Sequence, residues 1–247
     1  MSGLSLTGER TLPGIWHERY WFARHEVVYR WLAPALAGRL VLEAGCGEGY
    51  GGAILRTGGA GPVVAVDYFA PALVHLRRTY PGLVPTRANL VSLPFADGCA
   101  DAVVSLQTIE HLWEQPRFVA ECARVLAPGG LLAVSTPNRL TFSPGLGRGE
   151  KPLNPFHFAE LDPGELLDLL RRWFDDVDGF GVRHGPRIRA WEDAHGSLVA
   201  AQLAAPSESW PPALAGLVRT ITADDFEVRP GSLDDCLDLV VTGRVRP

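Results

Sequence analysis

The residues best placed to do chemistry are the run Glu43-Ala44-Gly45-Cys46-Gly47-Glu48-Gly49 and, eighteen positions beyond it, Asp67. Alternate glycines permit a tight turn and let backbone N–H groups approach a ligand with no Cβ in the way. A carboxylate such as Asp67, at the end of the following strand, can accept hydrogen bonds from two ribose hydroxyls at once. The pattern marks a nucleoside-containing cofactor, but its glycines are ambiguous. Gly47-x-Gly49-x-x-Gly52 also fits the dinucleotide fingerprint. Charge separates the two: Glu43 and Glu48 beside the turn would repel a pyrophosphate and favour a cationic cofactor.

Such a turn needs a strand before it and a helix after it. Apolar, β-branched runs at 39–44, 62–67 and 101–106, with a fourth at 130–136, alternate with helical patterns at 50–57, 70–80 and 115–127. Continuous apolar runs bounded by turn residues predict strands buried on both faces. Their alternation with helices predicts a doubly wound α/β sheet. Pro116 and Pro128-Gly129-Gly130 set the ends of the third helix. In such a sheet ligands bind beyond the carboxyl ends of the strands, which is where the glycine turn falls. Residues 137–162, rich in Pro, Gly and Asn, predict a long loop over the sheet, 185–232 a second irregular block, and 236–245 a closing strand. The expected organisation is one domain, with an N-terminal helical lid (1–38), a cofactor half (39–136), an acceptor side (137–232) and a closing strand (233–247).

Composition removes whole classes. A chain of 247 residues with 47% hydrophobic residues and a net charge of -5 is globular. An acidic balance argues against binding a phosphate backbone, so no nucleic-acid partner is expected. No apolar run approaches the roughly 18–20 residues of a membrane span, and no basic region leads an apolar stretch as in a signal peptide. Cys46, Cys99, Cys122 and Cys236 form no CxxC pair. Reduced cytoplasmic thiols are expected, rather than a zinc site or disulfide frame.

The glycine run with Asp67 resembles the first two motifs of class I S-adenosylmethionine-dependent methyltransferases. The resemblance continues through Asn89-Leu90, Leu93-Pro94-Phe95, Asp101-Ala102-Val103-Val104-Ser105 and Val125-Leu126-Ala127-Pro128-Gly129-Gly130-Leu131-Leu132. It implies a Rossmann-like α/β fold with a seven-stranded, mostly parallel sheet. It also implies S-adenosylmethionine as cofactor, whose sulfonium and ammonium suit the nearby carboxylates, and S-adenosylhomocysteine as product. Glu43, Gly45, Gly47, Asp67, Tyr68, Asn89, Leu90 and Gln107 would hold the cofactor. Tyr20 and Arg24 would close over it from an aromatic helix before the first strand, whose Trp21 and Phe22 are expected in the core. Glu110 and His111 would face the acceptor.

Some members carry Glu-x-x-Glu-His at this point, which can hold a divalent cation. Here Gln107 replaces the first glutamate, a loss that a hard cation would feel, so no metal is assigned. The block Asn154-Pro155-Phe156-His157-Phe158-x-Glu160 resembles one in methyltransferases acting on sugars, lipids and quinones, which makes His157 a second candidate base or acceptor anchor. It follows the fifth strand, whereas the similar tetrapeptide of DNA amino-methyltransferases follows the fourth. Plainer roles exist: Glu110 and His111 as a helix cap, and His157 as the cap of a helix at 163–172. Trp191 or Trp210 offers a surface on which a sugar ring could stack.

A closer resemblance runs nearly end to end. Residues 6–11 (Leu-Thr-Gly-Glu-Arg-Thr), 20–25, 43–51, 136–145, the Asn154 block and Trp210-Pro211-Pro212 are similar to actinobacterial sugar O-methyltransferases associated with methylglucose lipopolysaccharide biosynthesis. This implies a small-molecule or oligosaccharide acceptor methylated at a sugar hydroxyl, with His111 or His157 taking its proton and Glu110 orienting one of them. A methyltransferase of a lipid, quinone or other small hydroxylated metabolite would keep every cofactor motif and differ only in 137–232. A non-catalytic cofactor-binding partner protein is the alternative of another class.

Overall fold

The computed structural model describes residues 11–246; all of the 6–11 motif but Thr11 lies outside the described residues. Helix α1 (Arg19–Leu32) precedes β1 (Val41–Ala44), β2 (Val63–Asp67), β3 (Val84–Arg87), β4 (Ala100–Leu106) and β5 (Leu126–Pro137). Helix α2 (Tyr50–Thr57) joins β1 to β2, α3 (Ala70–Thr79) joins β2 to β3, and α4 (Gln115–Val125) joins β4 to β5. The second half contains α5 (Arg139–Phe142), α6 (Pro163–Leu170), β6 (Asp175–His184), α7 (Pro186–His195), α8 (Leu198–Leu203), α9 (Pro212–Val218), β7 (Phe226–Arg229) and β8 (Asp238–Arg244).

The strands lie in the order β3-β2-β1-β4-β5-β8-β6-β7. Pairs among β1–β5 are parallel, whereas β8 runs antiparallel to β5 and β6, and β7 runs antiparallel to β6. The doubly wound α/β sheet is therefore present, with eight strands in place of the expected seven. The added strand, β7, is a four-residue edge segment that leaves no period for a sequence to show. Chain order reverses between β1 and β4, which opens a crevice at their carboxyl ends.

Alternation along the strands divides the core into two layers. Val41, Val104, Ala133 and Val240 face α1 and α2, while Leu42, Val103, Leu132 and Val241 face α4 and α6. Burial on both faces is what makes these strands read as unbroken apolar runs. Helix α4 buries Gln115, Phe118, Val119, Cys122 and Val125, one stripe at helical spacing. Helix α6 is started by Pro163 and by a capping box in which Asp162 and Glu165 satisfy each other's backbone N–H. His157 is thus not its cap. The irregular block at 185–232 holds three α-helices, the shortest spanning six residues. Segments that short carry too few turns for a periodicity.

Candidate functional site

At the β1–β4 crevice lies a cavity of about 330 Å³. Its floor is the glycine turn, where Gly45 (φ 84°) and Gly47 (φ 52°) take left-handed conformations. At Gly45 a Cβ would stand 2.3 Å from Thr108 Oγ1, so the turn can approach the end of β4 only without a side chain. The Gly47 N–H donates to Asp67 Oδ2 at 2.8 Å, and the Phe69 N–H donates to Asp67 Oδ1 at 2.8 Å. The turn and Asp67 are thereby one rigid unit, and each carboxylate oxygen keeps a lone pair for a hydroxyl.

Glu43 is placed otherwise than expected. Strand alternation turns it with Val41 towards α1 and α2, where it is 1% exposed and outside the cavity wall. Its oxygens press on the backbone of Gly51 and Gly52, where Cβ atoms would lie 2.4 and 2.6 Å away. Burial pushes its carboxyl up to about 8 against the opposing pull of Tyr29 and the Gly52 N–H, neither of which reaches full hydrogen-bond geometry. It supports the turn from beneath, outside the cavity wall.

Helix α1 and the turn before it supply one wall through Glu18, Trp21, Arg24, His25 and Tyr29. Spacings of three and four residues put these side chains on one face. Tyr20 is on the other, fully buried, with its hydroxyl 2.8 Å from His184 Nε2. The expected roles of Tyr20 and Trp21 are therefore exchanged: Tyr20 is core and Trp21 is wall. Arg24 reaches the cavity as half of a buried ion pair, its Nη2 donating to Asp238 Oδ1 at 2.6 Å. Asp238 was not anticipated; its signal is a lone carboxylate opening an otherwise apolar closing strand.

The opposite end of the cavity is polar. Gln107 holds a left-handed φ of 52° without being glycine, a strained conformation of the kind that collects at functional sites. Its Nε2 donates to Ser135 Oγ at 3.3 Å. Glu110 is buried, accepts from Thr136 Oγ1 at 3.0 Å, and has its carboxyl raised above the usual range by that burial. His111 Nδ1 lies 2.8 Å from the Phe156 carbonyl oxygen. His157 Nδ1 lies 2.7 Å from Glu160 Oε1, and His157 Nε2 lies 3.0 Å from Asn154 Nδ2. The two imidazole rings meet edge to face at 5.1 Å.

The structure thus gathers Gly45, Gly47, Arg24, Gln107, Glu110, His111 and His157 on one cavity. Asp67 stands directly behind the turn. Tyr68 is exposed, with the Arg87 guanidinium over its ring at 5.3 Å; Asn89 caps its own turn, and Leu90 is buried in the core. These three lie outside the cavity wall. The rings of Trp191 and Trp210 are already engaged, stacked on His195 at 4.6 Å and edge-on to Trp16 at 5.7 Å. Among the described residues, Glu110, His111 and His157 bring one donor atom each within 4.8 Å of one another. Both nitrogens of His157 already have partners. Phe142 and Leu203, which also line the cavity, went unpredicted because their helices span four and six residues.

Residues 42–134 match the family model described as a methyltransferase domain. A probable S-adenosylmethionine-dependent methyltransferase of Mycobacterium tuberculosis is 50% identical over 252 residues, covering 99% of this chain and 90% of that protein. The chain belongs to the S-adenosylmethionine-dependent methyltransferases. A ubiquinone biosynthesis O-methyltransferase of Xanthomonas oryzae pv. oryzae is 39% identical over 162 residues, covering 58% of this chain and 66% of that one. A solved S-adenosylmethionine-dependent methyltransferase from Thermotoga maritima, described as a possible histamine N-methyltransferase, superposes with a TM-score of 0.64 at 17% identity over 93% of this chain and 95% of that one, a likeness of fold alone. The methyltransferase's cofactor is S-adenosylmethionine, and the cavity fits it. Carboxylates of Glu18, Glu48 and Glu110 stand in the wall, and Arg24, the one arginine there among the described residues, is neutralised by Asp238. Such a wall favours a sulfonium over a phosphate. Among the described residues no helix is long and apolar enough to cross a membrane.

Proposed function

We propose that this methyltransferase transfers its methyl group to an uncharged hydroxyl of a sugar, the 6-OH of glucose in a methylglucose lipopolysaccharide precursor being the acceptor the sequence resemblance supports. The observation that carries the hydroxyl acceptor is His111. A carbonyl only accepts, so the Phe156 oxygen holds the proton on His111 Nδ1 and leaves Nε2 with a lone pair at the cavity. The cofactor, when bound, supplies a methyl group already made electrophilic by a sulfonium. What remains for the chain is to hold the acceptor in line and take its proton. Gly45, Gly47 and Asp67 hold the cofactor's polar parts in this assignment, with Gln107 beside them; Tyr68, Asn89 and Leu90, at the ends of β2 and β3, flank the path of its adenine. His111 is the base, and buried Glu110 backs it. All four cysteines are free, which supports a reducing, cytoplasmic setting.

A second acceptor class has its own support. The rim near the cavity exposes Trp113, Leu153, Phe156 and Leu203, and the Xanthomonas relative is named for a quinone pathway. The deciding experiment is transfer of labelled methyl from S-adenosylmethionine to glucans, glucosylglycerate, mannosides and a quinol. Label on a sugar supports the assignment; label on the quinol alone replaces it, and label on nothing leaves only cofactor binding. With the working acceptor, His111→Ala should lower kcat by about 10²–10⁴-fold while calorimetric cofactor binding holds. Asp67→Ala should weaken that binding at least tenfold, roughly the loss of one charge-assisted hydrogen bond. Near-normal turnover in His111→Ala would sink the base assignment.

A further inference from the structure

The two candidate bases are not equivalent, and hydrogen-bond direction separates them. The Phe156 N–H can only donate, and it donates to Asn154 Oδ1 at 3.0 Å. That contact fixes which end of the Asn154 amide faces which way. Its Nδ2 is then left to donate to His157 Nε2 at 3.0 Å, which must present its lone pair. The proton of the ring accordingly sits on Nδ1 and goes to Glu160 Oε1 at 2.7 Å, a carboxylate whose side chain is fully buried. His157 has no free nitrogen. On the other side of the same peptide unit pair, the Phe156 carbonyl accepts from His111 Nδ1.

We propose that Glu160, His157 and Asn154 are positioning residues. They form a directional chain that locks the Phe156 backbone, and through its carbonyl they set the tautomer and aim of His111. This rests on His111 being the base for its catalytic meaning, but not for its structural content. The chain is anchored independently: the Phe158 and Ala159 N–H groups both donate to the Glu110 carbonyl, at 2.7 and 3.2 Å, and Gln115 Nε2 donates to the Ile109 and Ala159 carbonyls. Loss of one link therefore loosens the aim of His111 without detaching the loop.

The test uses the full chain with cofactor bound, reading His111 ring-nitrogen chemical shifts assigned by their absence in His111→Gln. The wild type should show His111 in the Nδ1–H form. Asn154→Ala should shift it towards the Nε2–H form that unconstrained imidazole prefers. Asn154→Asp, which keeps the oxygen that accepts from Phe156 and whose second oxygen accepts from His157 once that ring takes up a proton on Nε2, should restore the wild-type form. In step with this, kcat should fall about tenfold to hundredfold in Asn154→Ala and recover in Asn154→Asp, with the KM for the cofactor unchanged. Glu160→Leu should reproduce the Asn154→Ala shift at one further remove. A wild-type His111 already in the Nε2–H form, or one unmoved in Asn154→Ala, overturns the proposal. If the tautomer moves and kcat does not, the positioning chain stands and the base assignment falls.

Discussion

At the residue scale, the side chains whose placement depends on local backbone were legible and those whose placement depends on direction were not. Gly45, Gly47 and Asp67 are tied together by a turn that any chain of this spacing makes, and Asp67 does receive the Gly47 N–H. Glu43 and Tyr20 sit within the same motifs, yet which side they face is decided by strand parity and helix phase. For Glu43 this has a measurable consequence. Its folded-state carboxyl titrates near 8, above the 4.5 of an exposed glutamate, so the folded chain keeps a proton that the unfolded chain releases. Its contribution to stability is full below about pH 4.5 and is lost as pH rises through about 8. Glu43→Gln, which cannot ionise, should have a melting temperature that gains on the wild type steadily from pH 5 to pH 8 and then runs parallel to it. A constant offset across that range would mean the buried carboxyl is not the titrating group.

At the element scale, β1, β2, β4 and β5 were visible because burial on both faces leaves a continuous apolar run. The edge strand β7 and the short helices α8 and α9 were not, since their positions come from packing and not from period. How α1 is fastened to β8 was equally hidden. Arg24 and Asp238 are both almost fully buried and lie 214 residues apart. Removing one partner strands the other's charge, so Asp238→Ala should destabilise the fold by about 3–5 kcal/mol in denaturant unfolding. The exposed Arg30–Glu26 pair on the same helix serves as the control: Glu26→Ala should cost no more than about 0.5 kcal/mol. Comparable costs for both would show that the Arg24 pair is solvated and not a fastening.

At the scale of the whole molecule, the acidic balance pointed away from nucleic acid and towards a cationic cofactor, and the cavity wall gives that balance a place. The expectation of no metal is also tested best here, since among the described residues three potential donors converge from two segments. Gln107 contributes no charge, and a cation at His157 would have to break its bond to Asn154. Turnover should therefore be unchanged by EDTA and unimproved by added magnesium; loss in EDTA with recovery on magnesium would reverse that. The backbone bonds from Phe158 and Ala159 to Glu110 have one more consequence. They weld the last third of the 137–162 loop to the segment after β4, while residues 143–153 ahead of that weld are mostly exposed and irregular. Substitutions confined to that forward stretch should therefore leave the weld, and with it the backbone that carries Phe156 and His111, in place. The boundary between pinned and open backbone falls close to Asn154.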